Sequence, residues 1–445
     1  MSTATEESWP MPASTTPGAS AAPTGPVSSD FGLPSSLQIP DLVKLEAPAG
    51  GTPSVINTER GLRRVAQLLS EQSGPVAVDT ERASGIRYGQ RAFLVQLKRG
   101  ESGVILIDPE AFEDLSPIND ALSGVEWVLH AATQDLPCLA ELGMHPDALF
   151  DTEMGGRLAG FERVGLGFMV ENLLGFKLAK EHSSVDWSKR PLPEEWLNYA
   201  ALDVEILLDL RDAVEEVLRE QDKLGYALEE FRYECEVWER EPKKDPWRKT
   251  KGIRELKNRR QLTALRNLWY ERERLAQTKD VAPKRLLPDP ALIQAARLMP
   301  RSVPAILQVP GFQTRALKRE APRWVRAIAD AKNDAQPVPF TTPAEGPPPL
   351  KAWETKRPLS AQLFAEAKPA IVALAEELAL PQENLLSPDT LRRLCWDPPA
   401  EPTAARLRSA LLELGAREWQ IEVVVGSLTE IFGEILGSAP STSKE

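Results

Sequence analysis

PVAVDTE at 75–81, FLVQLK at 93–98, VILIDP at 104–109 and EWVLHAA at 126–132 are short runs rich in Val, Ile, Leu and Phe. Glycine, proline or charged turns separate the first three, a pattern that predicts an antiparallel meander. Helical periodicity follows in LPCLAELG (136–143), VGLGFMVENLLG (164–175) and EEWLNYAALDVEILLDLRDAVEEVLRE (194–220). Strands first and helices after predict an α/β domain over 53–235, with a mixed sheet flanked by helices.

Outward from this domain the composition changes on both sides. Residues 1–52 are rich in Pro, Ser, Thr, Ala and Gly, cannot bury enough surface to offset chain entropy, and are expected to be a disordered tail. No basic segment leads into an apolar core there, so no secretory signal is expected. Residues 241–334 read as helical and basic, with 23 Lys and Arg against 10 Asp and Glu. The whole chain nevertheless carries a formal charge of −12. One positive module on a negative chain hints at nucleic-acid contact, although a solvated helical face gives the same pattern. Prolines crowd 335–357, which reads as a stiff linker. Residues 358–437 return to amphipathic helix, and 438–445 read as a frayed tail.

At 445 residues the chain is long enough for two to four domains. No apolar run approaches the roughly 18 residues of a membrane span. The cysteines Cys138, Cys235 and Cys395 lie far apart, so neither a disulfide framework nor a cysteine zinc site is expected, and a reducing cytoplasm fits. His130, His145 and His182 are too few for a histidine-rich metal site, so any metal must be held by carboxylates.

Three segments carry candidate chemistry. Asp79 and Glu81 are two apart on a strand, hence on one face; a cation would explain two acids there, and so would a strand ending at the surface. In HAATQDL (130–136), Asp135 is expected in the first turn of a helix, where the dipole alone would favour it. In YAALD (199–203), Tyr199 and Asp203 stack one helical turn apart, as a site pair or as a hydrogen bond at a core edge. Taken together, four carboxylates and a tyrosine from three segments suit hard divalent ions. Such ions can activate water for phosphodiester cleavage.

The residues DTE (79–81), HAATQDL (130–136) and YAALDVEIL (199–207) resemble the three exonuclease motifs of the ribonuclease D family. This family belongs to the DEDD superfamily of 3′→5′ exonucleases. Tyr199 resembles the tyrosine subclass, and Asn198 stands where the sister subclass has histidine. FDTEMGGRLAG (150–160) and DWSKRPL (186–192) are similar to stretches between the family's second and third motifs. GIRELKNRRQLTALRNLWYERERLAQTKDVAPKRLLPDPALIQAA (252–296) resembles an HRDC module, and 358–437 the helical domain that follows it. The second motif reads Ala132-Thr133-Gln134 where relatives often have Gly-Ser-Glu.

The resemblance implies a ribonuclease H-like exonuclease domain and two small all-α HRDC-type domains. It implies that Asp79, Glu81, Asp135 and Asp203 hold two Mg²⁺ or Mn²⁺ ions and that Tyr199 orients the attacking water. The implied product is nucleoside 5′-monophosphate, and the implied substrate is RNA with a free 3′ end, tRNA precursors above all. Lys251, Arg254, Lys257, Arg259, Arg260, Lys284 and Arg285 are candidates for phosphate contact, and His130 is expected to be a structural or substrate-side residue and not a metal ligand. Trp247, Trp269 and Tyr270 are candidates for base stacking, a core position being favoured for Trp269. The competing readings are an exonuclease of DNA ends, single-stranded DNA included, and a non-catalytic nucleic-acid-binding protein. Oligomeric state and the role of the N-terminal tail are not legible in the sequence.

Overall fold

A computed structural model of the chain describes residues 42–178, 185–238, 244–341 and 346–437. The expected tails at 1–52 and 438–445 lie outside the described residues up to 41 and entirely, respectively, as does His182. The described residues all belong to one unit.

Among the described residues eight strands are formed: β1 (Val43–Leu45), β2 (Val55–Ile56), β3 (Val76–Arg82), β4 (Ala92–Arg99), β5 (Val104–Ile107), β6 (Glu126–Leu129), β7 (Ala148–Asp151) and β8 (Phe176–Leu178). Six make the central sheet in the order β2-β5-β4-β3-β6-β7. The expected meander is its middle, since β3 pairs antiparallel with β4 and β4 with β5. Parallel strands extend it on both sides, so the sheet is mixed. The sequence reading missed β2 and β7, whose two and four residues are too short for periodicity to register.

The boundary of the expected tail is corrected by β1, which pairs in parallel with β8 over Val43↔Phe176 to Leu45↔Leu178. The Thr52 hydroxyl further donates to Asn198 at 2.8 Å. Composition missed this because a three-residue edge strand draws its order from its partner.

Helices flank the sheet: α1 (Glu59–Ser70), α2 (Leu136–Ala140), α3 (Thr152–Leu158), α4 (Leu166–Leu173), α5 (Glu194–Glu205), α6 (Leu207–Glu220) and α7 (Leu224–Val237). The single helix expected over 194–220 is two, broken at Ile206 (φ −101°, ψ −8°). Ile206 is buried at the break, and the change of direction lets α5 lie over β3, β4 and β5 while α6 packs on β6.

The basic segment folds around α8 (Arg259–Lys279), α9 (Asp289–Leu298) and α10 (Ala321–Asn333), with its own apolar core that includes Leu265, Leu292 and Trp324. Residues 337–340 run along it: Arg248 donates to the Pro339 carbonyl at 3.0 Å, and the Val338 amide donates to Thr263 at 3.0 Å. The expected linker ends sooner than 357, because Leu350–Lys356 is already helical and Trp353 is buried. The last segment contributes α11 (Pro358–Glu377) and α12 (Glu418–Gly437). Its core is continuous with that of the sheet domain. Among the described residues, no helix is long and apolar enough to cross a membrane.

Candidate active site

Strand alternation divides the acidic motif between two faces. Asp79 and Glu81 point toward α5, and one carboxylate oxygen from each lies within 4.8 Å of the others in a group with Asp203. Thr80 points the other way, and its hydroxyl donates to Asp135 at 2.6 Å. Asp135 is 4% exposed and also faces the Arg82 guanidinium at 3.2 Å. Three of the four sequence-predicted carboxylates therefore converge. The fourth lies beside them, held by Thr80 and Arg82, and its charge acts on Asp79 and Glu81.

Like charges in a poorly solvated place resist ionisation. Burial, then the charge of Asp79, then that of Asp203 push Glu81 up to about 10. Burial raises Asp203 to about 7, and burial with Asp135 and Asp203 holds Asp79 well above the usual carboxylate range. Tyr199 lies one turn before Asp203, and burial with the charges of Asp203, Glu81 and Asp79 pushes its phenol upward, so it keeps its proton at neutral pH. An all-oxygen set in which carboxyls outnumber the single nearby cation, Arg82, suits a hard divalent cation, and the residues fit one.

Further residues shape this site that the sequence reading assigned no role. Asp151, at the end of β7, accepts from the amides of Ala131 at 2.9 Å, Ala132 at 2.7 Å and Glu153 at 2.8 Å. It caps α3 and fixes the loop that delivers Asp135, in which Ala131 adopts a left-handed conformation (φ 63°). Its signal in the sequence is an Asp-Thr-Glu after an apolar strand, the pattern of an N-cap. Arg190 forks onto Asp108 at 2.5 and 2.6 Å and donates to the Phe93 carbonyl at 2.7 Å. That clamp holds Trp187 under α5, its ring 5.6 Å from Trp196 and 6.4 Å from Tyr199. Gln96 pairs directly across from Asp79, is 0% exposed, and neither atom of its amide has a hydrogen-bond partner.

The remaining sequence candidates are dispersed. Lys251, Arg254, Lys257, Arg259 and Arg260 are exposed around the start of α8, and Lys284 and Arg285 are exposed in the turn after its end. Arg259 is engaged by the Pro337 carbonyl. Trp247 is no stacking platform, because its ring is fully buried and its indole donates to Asp245 at 3.0 Å. Trp269 is half-buried and Tyr270 exposed. His130 has Nδ1 2.9 Å from the Thr152 hydroxyl and a pKa lowered to about 4 by burial, a contact that supports the structural alternative for this residue.

The chain is similar to known proteins. Three family profiles match: "3′-5′ exonuclease" over 53–219, "HRDC domain" over 261–328 and "3′ to 5′ exonuclease C-terminal domain" over 346–432. A ribonuclease D of Gluconacetobacter diazotrophicus is 31% identical over 360 residues, which is 78% of this chain and 87% of that protein. A crystal structure of a protein from Bifidobacterium adolescentis is 36% identical with a TM-score of 0.79, covering 88% of this chain and 99% of that one. The structure of Escherichia coli RNase D, described as an exoribonuclease involved in structured RNA processing, is 25% identical with a TM-score of 0.63. It covers 86% of this chain and 98% of its own.

Proposed function

The chain belongs to the ribonuclease D family and is a 3′→5′ exoribonuclease, and we propose that Asp79, Glu81, Asp135 and Asp203 hold two divalent ions, Mg²⁺ or Mn²⁺, at its active site. The observation that carries this reading is the convergence of the Asp79, Glu81 and Asp203 carboxylates within 4.8 Å from a strand and a helix. Bound ions of this kind supply Lewis-acid activation of water and stabilise the leaving oxygen in phosphodiester cleavage. Tyr199 retains its proton and donates it as a hydrogen bond, which orients the attacking water along the face that α5 presents. Arg82 neutralises Asp135 and so limits its repulsion of Asp79 and Glu81. The leaving group is the 3′ oxygen of the penultimate nucleotide, and the product is a nucleoside 5′-monophosphate.

The substrate is RNA with a free 3′ end, with tRNA precursors as its main class. The exposed cations of the basic module, Lys251, Arg254, Lys257, Arg260 and Arg285 among them, neutralise its phosphates. A cytoplasmic setting is consistent with the free thiols of Cys138, Cys235 and Cys395.

The test is a degradation ladder on 5′-labelled, 3′-extended tRNA and a matched single-stranded DNA, each with Mg²⁺, Mn²⁺ or chelator. The expected result is metal-dependent shortening of the RNA from its 3′ end, with loss of at least about 100-fold in Asp203→Asn. Unchanged turnover in Asp203→Asn would remove the assigned site, and faster loss of the DNA would make DNA ends the substrate.

A further inference from the structure

Between the exonuclease domain and the basic module lies a cleft of about 530 Å³. One wall is the loop between β3 and β4, represented by Arg87, Tyr88 and Gln90; the other is formed by Lys249, Trp269 and Glu273 of the basic module. The two walls are fixed to each other. Asp280, at the end of α8, accepts both terminal nitrogens of Arg91 at 2.9 Å each and the Tyr88 amide at 3.3 Å. The Ala282 amide donates to the Ile86 carbonyl at 2.9 Å. A cleft held this way is pre-formed, so filling it costs little ordering.

The lining has a consistent chemistry. Trp269 and Tyr88 are both half-buried, so each keeps ring surface open while its position is set by packing. Exposed Lys249 brings free positive charge to the rim, whereas Arg87 is engaged by the Ser188 hydroxyl at 2.8 Å and by Asp280 at 3.5 Å. Glu273 and Gln90 supply an acceptor and an amide for the edge of a base. The buried Arg272 is already committed to Asp289 at 2.8 Å and to the Leu287 carbonyl at 3.1 Å, so its charge is not available to a ligand. Aromatic faces, a rim cation and polar edge groups together match one nucleotide: a base to stack, a phosphate to neutralise. An acidic peptide would meet the cation but leave the rings unused.

The cleft is also adjacent to the active site along the chain. Gly85, on its rim, is four residues after Glu81, so their Cα atoms are separated by at most about 14 Å. We propose that this cleft binds a nucleotide of the RNA substrate a few positions upstream of the scissile bond, stacked on Trp269 or Tyr88 and held at its phosphate by Lys249. The inference rests on the exoribonuclease reading above. It assigns the basic module a defined contact instead of a diffuse charge, and it makes hydrolysis sensitive to whether the substrate is long enough to reach the cleft.

The experiment compares kcat/KM of the full chain on a long single-stranded 3′ extension and on a trinucleotide. In Trp269→Ala, the long-to-short ratio is expected to fall by roughly 5- to 100-fold through a raised KM, the range of one lost base stack. Lys249→Ala alters an exposed side chain and is expected to lower the same ratio several-fold, with a shallower salt dependence on the long substrate. An unchanged ratio in both variants overturns the proposal, and so does an equal loss on both substrates. Failure of the unsubstituted protein to shorten either RNA would instead remove the exoribonuclease reading itself. Added 5′-AMP separates the remaining source of the same chemistry. If it quenches tryptophan emission in the parent but not in Trp269→Ala while the long-to-short ratio stays fixed, the cleft is a free-mononucleotide site and the RNA path does not use it.

Discussion

Asp203, with its carboxyl raised from 3.8 to about 7, holds a proton in the folded chain that the unfolded chain has already released. The native state then binds more protons than the unfolded one, so metal-free stability falls as pH rises from about 4 through about 7. Glu81 extends the loss toward about 10. A divalent cation removes the penalty by binding the ionised forms. The increase in Tm on adding Mn²⁺ or Mg²⁺ should therefore be larger at pH 8 than at pH 5, as scanning calorimetry can establish; equal increases would mean that these carboxyls are not where the cation binds. Gln96 has a separate cost. A buried amide with no partner destabilises by about 1–3 kcal/mol, so Gln96→Leu should raise the urea midpoint in chelator. A lowered midpoint would show that the amide is satisfied. Spacing alone pairs Asp79 with Glu81 and Tyr199 with Asp203, because period two on a strand and one turn on a helix fix the shared faces, while the meeting of the two pairs was implied only by the family resemblance. The turning of Asp135 to Thr80 and Arg82 was not legible, since it depends on how the loop after β6 approaches β3.

Elements with strong periodicity were the legible ones: β3, β4, β5, β6 and the helical content of 194–220 all carry it. The break at Ile206 left no trace in the sequence, because its apolar side chain continues the helical stripe while the backbone turns. Contacts between elements of different domains were equally invisible. Gly160, just after α3, is an instance: its φ is +83°, and a Cβ there would stand 2.3 Å from the Ala379 carbonyl beyond α11. Gly160→Ala combines left-handed strain of about 1–2 kcal/mol with a clash against fixed backbone, so it should lower Tm by more than strain alone. A Tm within a degree of the parent would mean that α3 and the segment after α11 separate easily in solution.

At the scale of the whole molecule, chain order and packing order differ. The basic module comes second in sequence but has its own core, whereas the last domain shares a core with the sheet domain. The seam is specific: Trp419 of α12 stacks on Tyr226 of α7 at 4.6 Å, and its indole donates to the buried Glu230 at 2.8 Å. Arg417 pairs with the same carboxylate at 2.7 Å. Composition assigned the module its charge and the last segment its helices, but a shared core is a long-range property that no local pattern encodes. Two deletions should then behave oppositely. Removing 358–437 strips the cover from α7 and leaves Glu230 without its partners, and each large side chain lost from such a core costs about 3–5 kcal/mol. The exonuclease domain should then fail to unfold cooperatively and lose hydrolysis of every substrate. Removing 244–341, with a flexible bridge in its place, leaves that core intact. Cooperative unfolding and hydrolysis of a trinucleotide should survive, while binding of long RNA weakens and its salt dependence flattens. If the C-terminal deletion unfolds as cooperatively as the full chain, the common core contributes nothing to the stability of the catalytic domain.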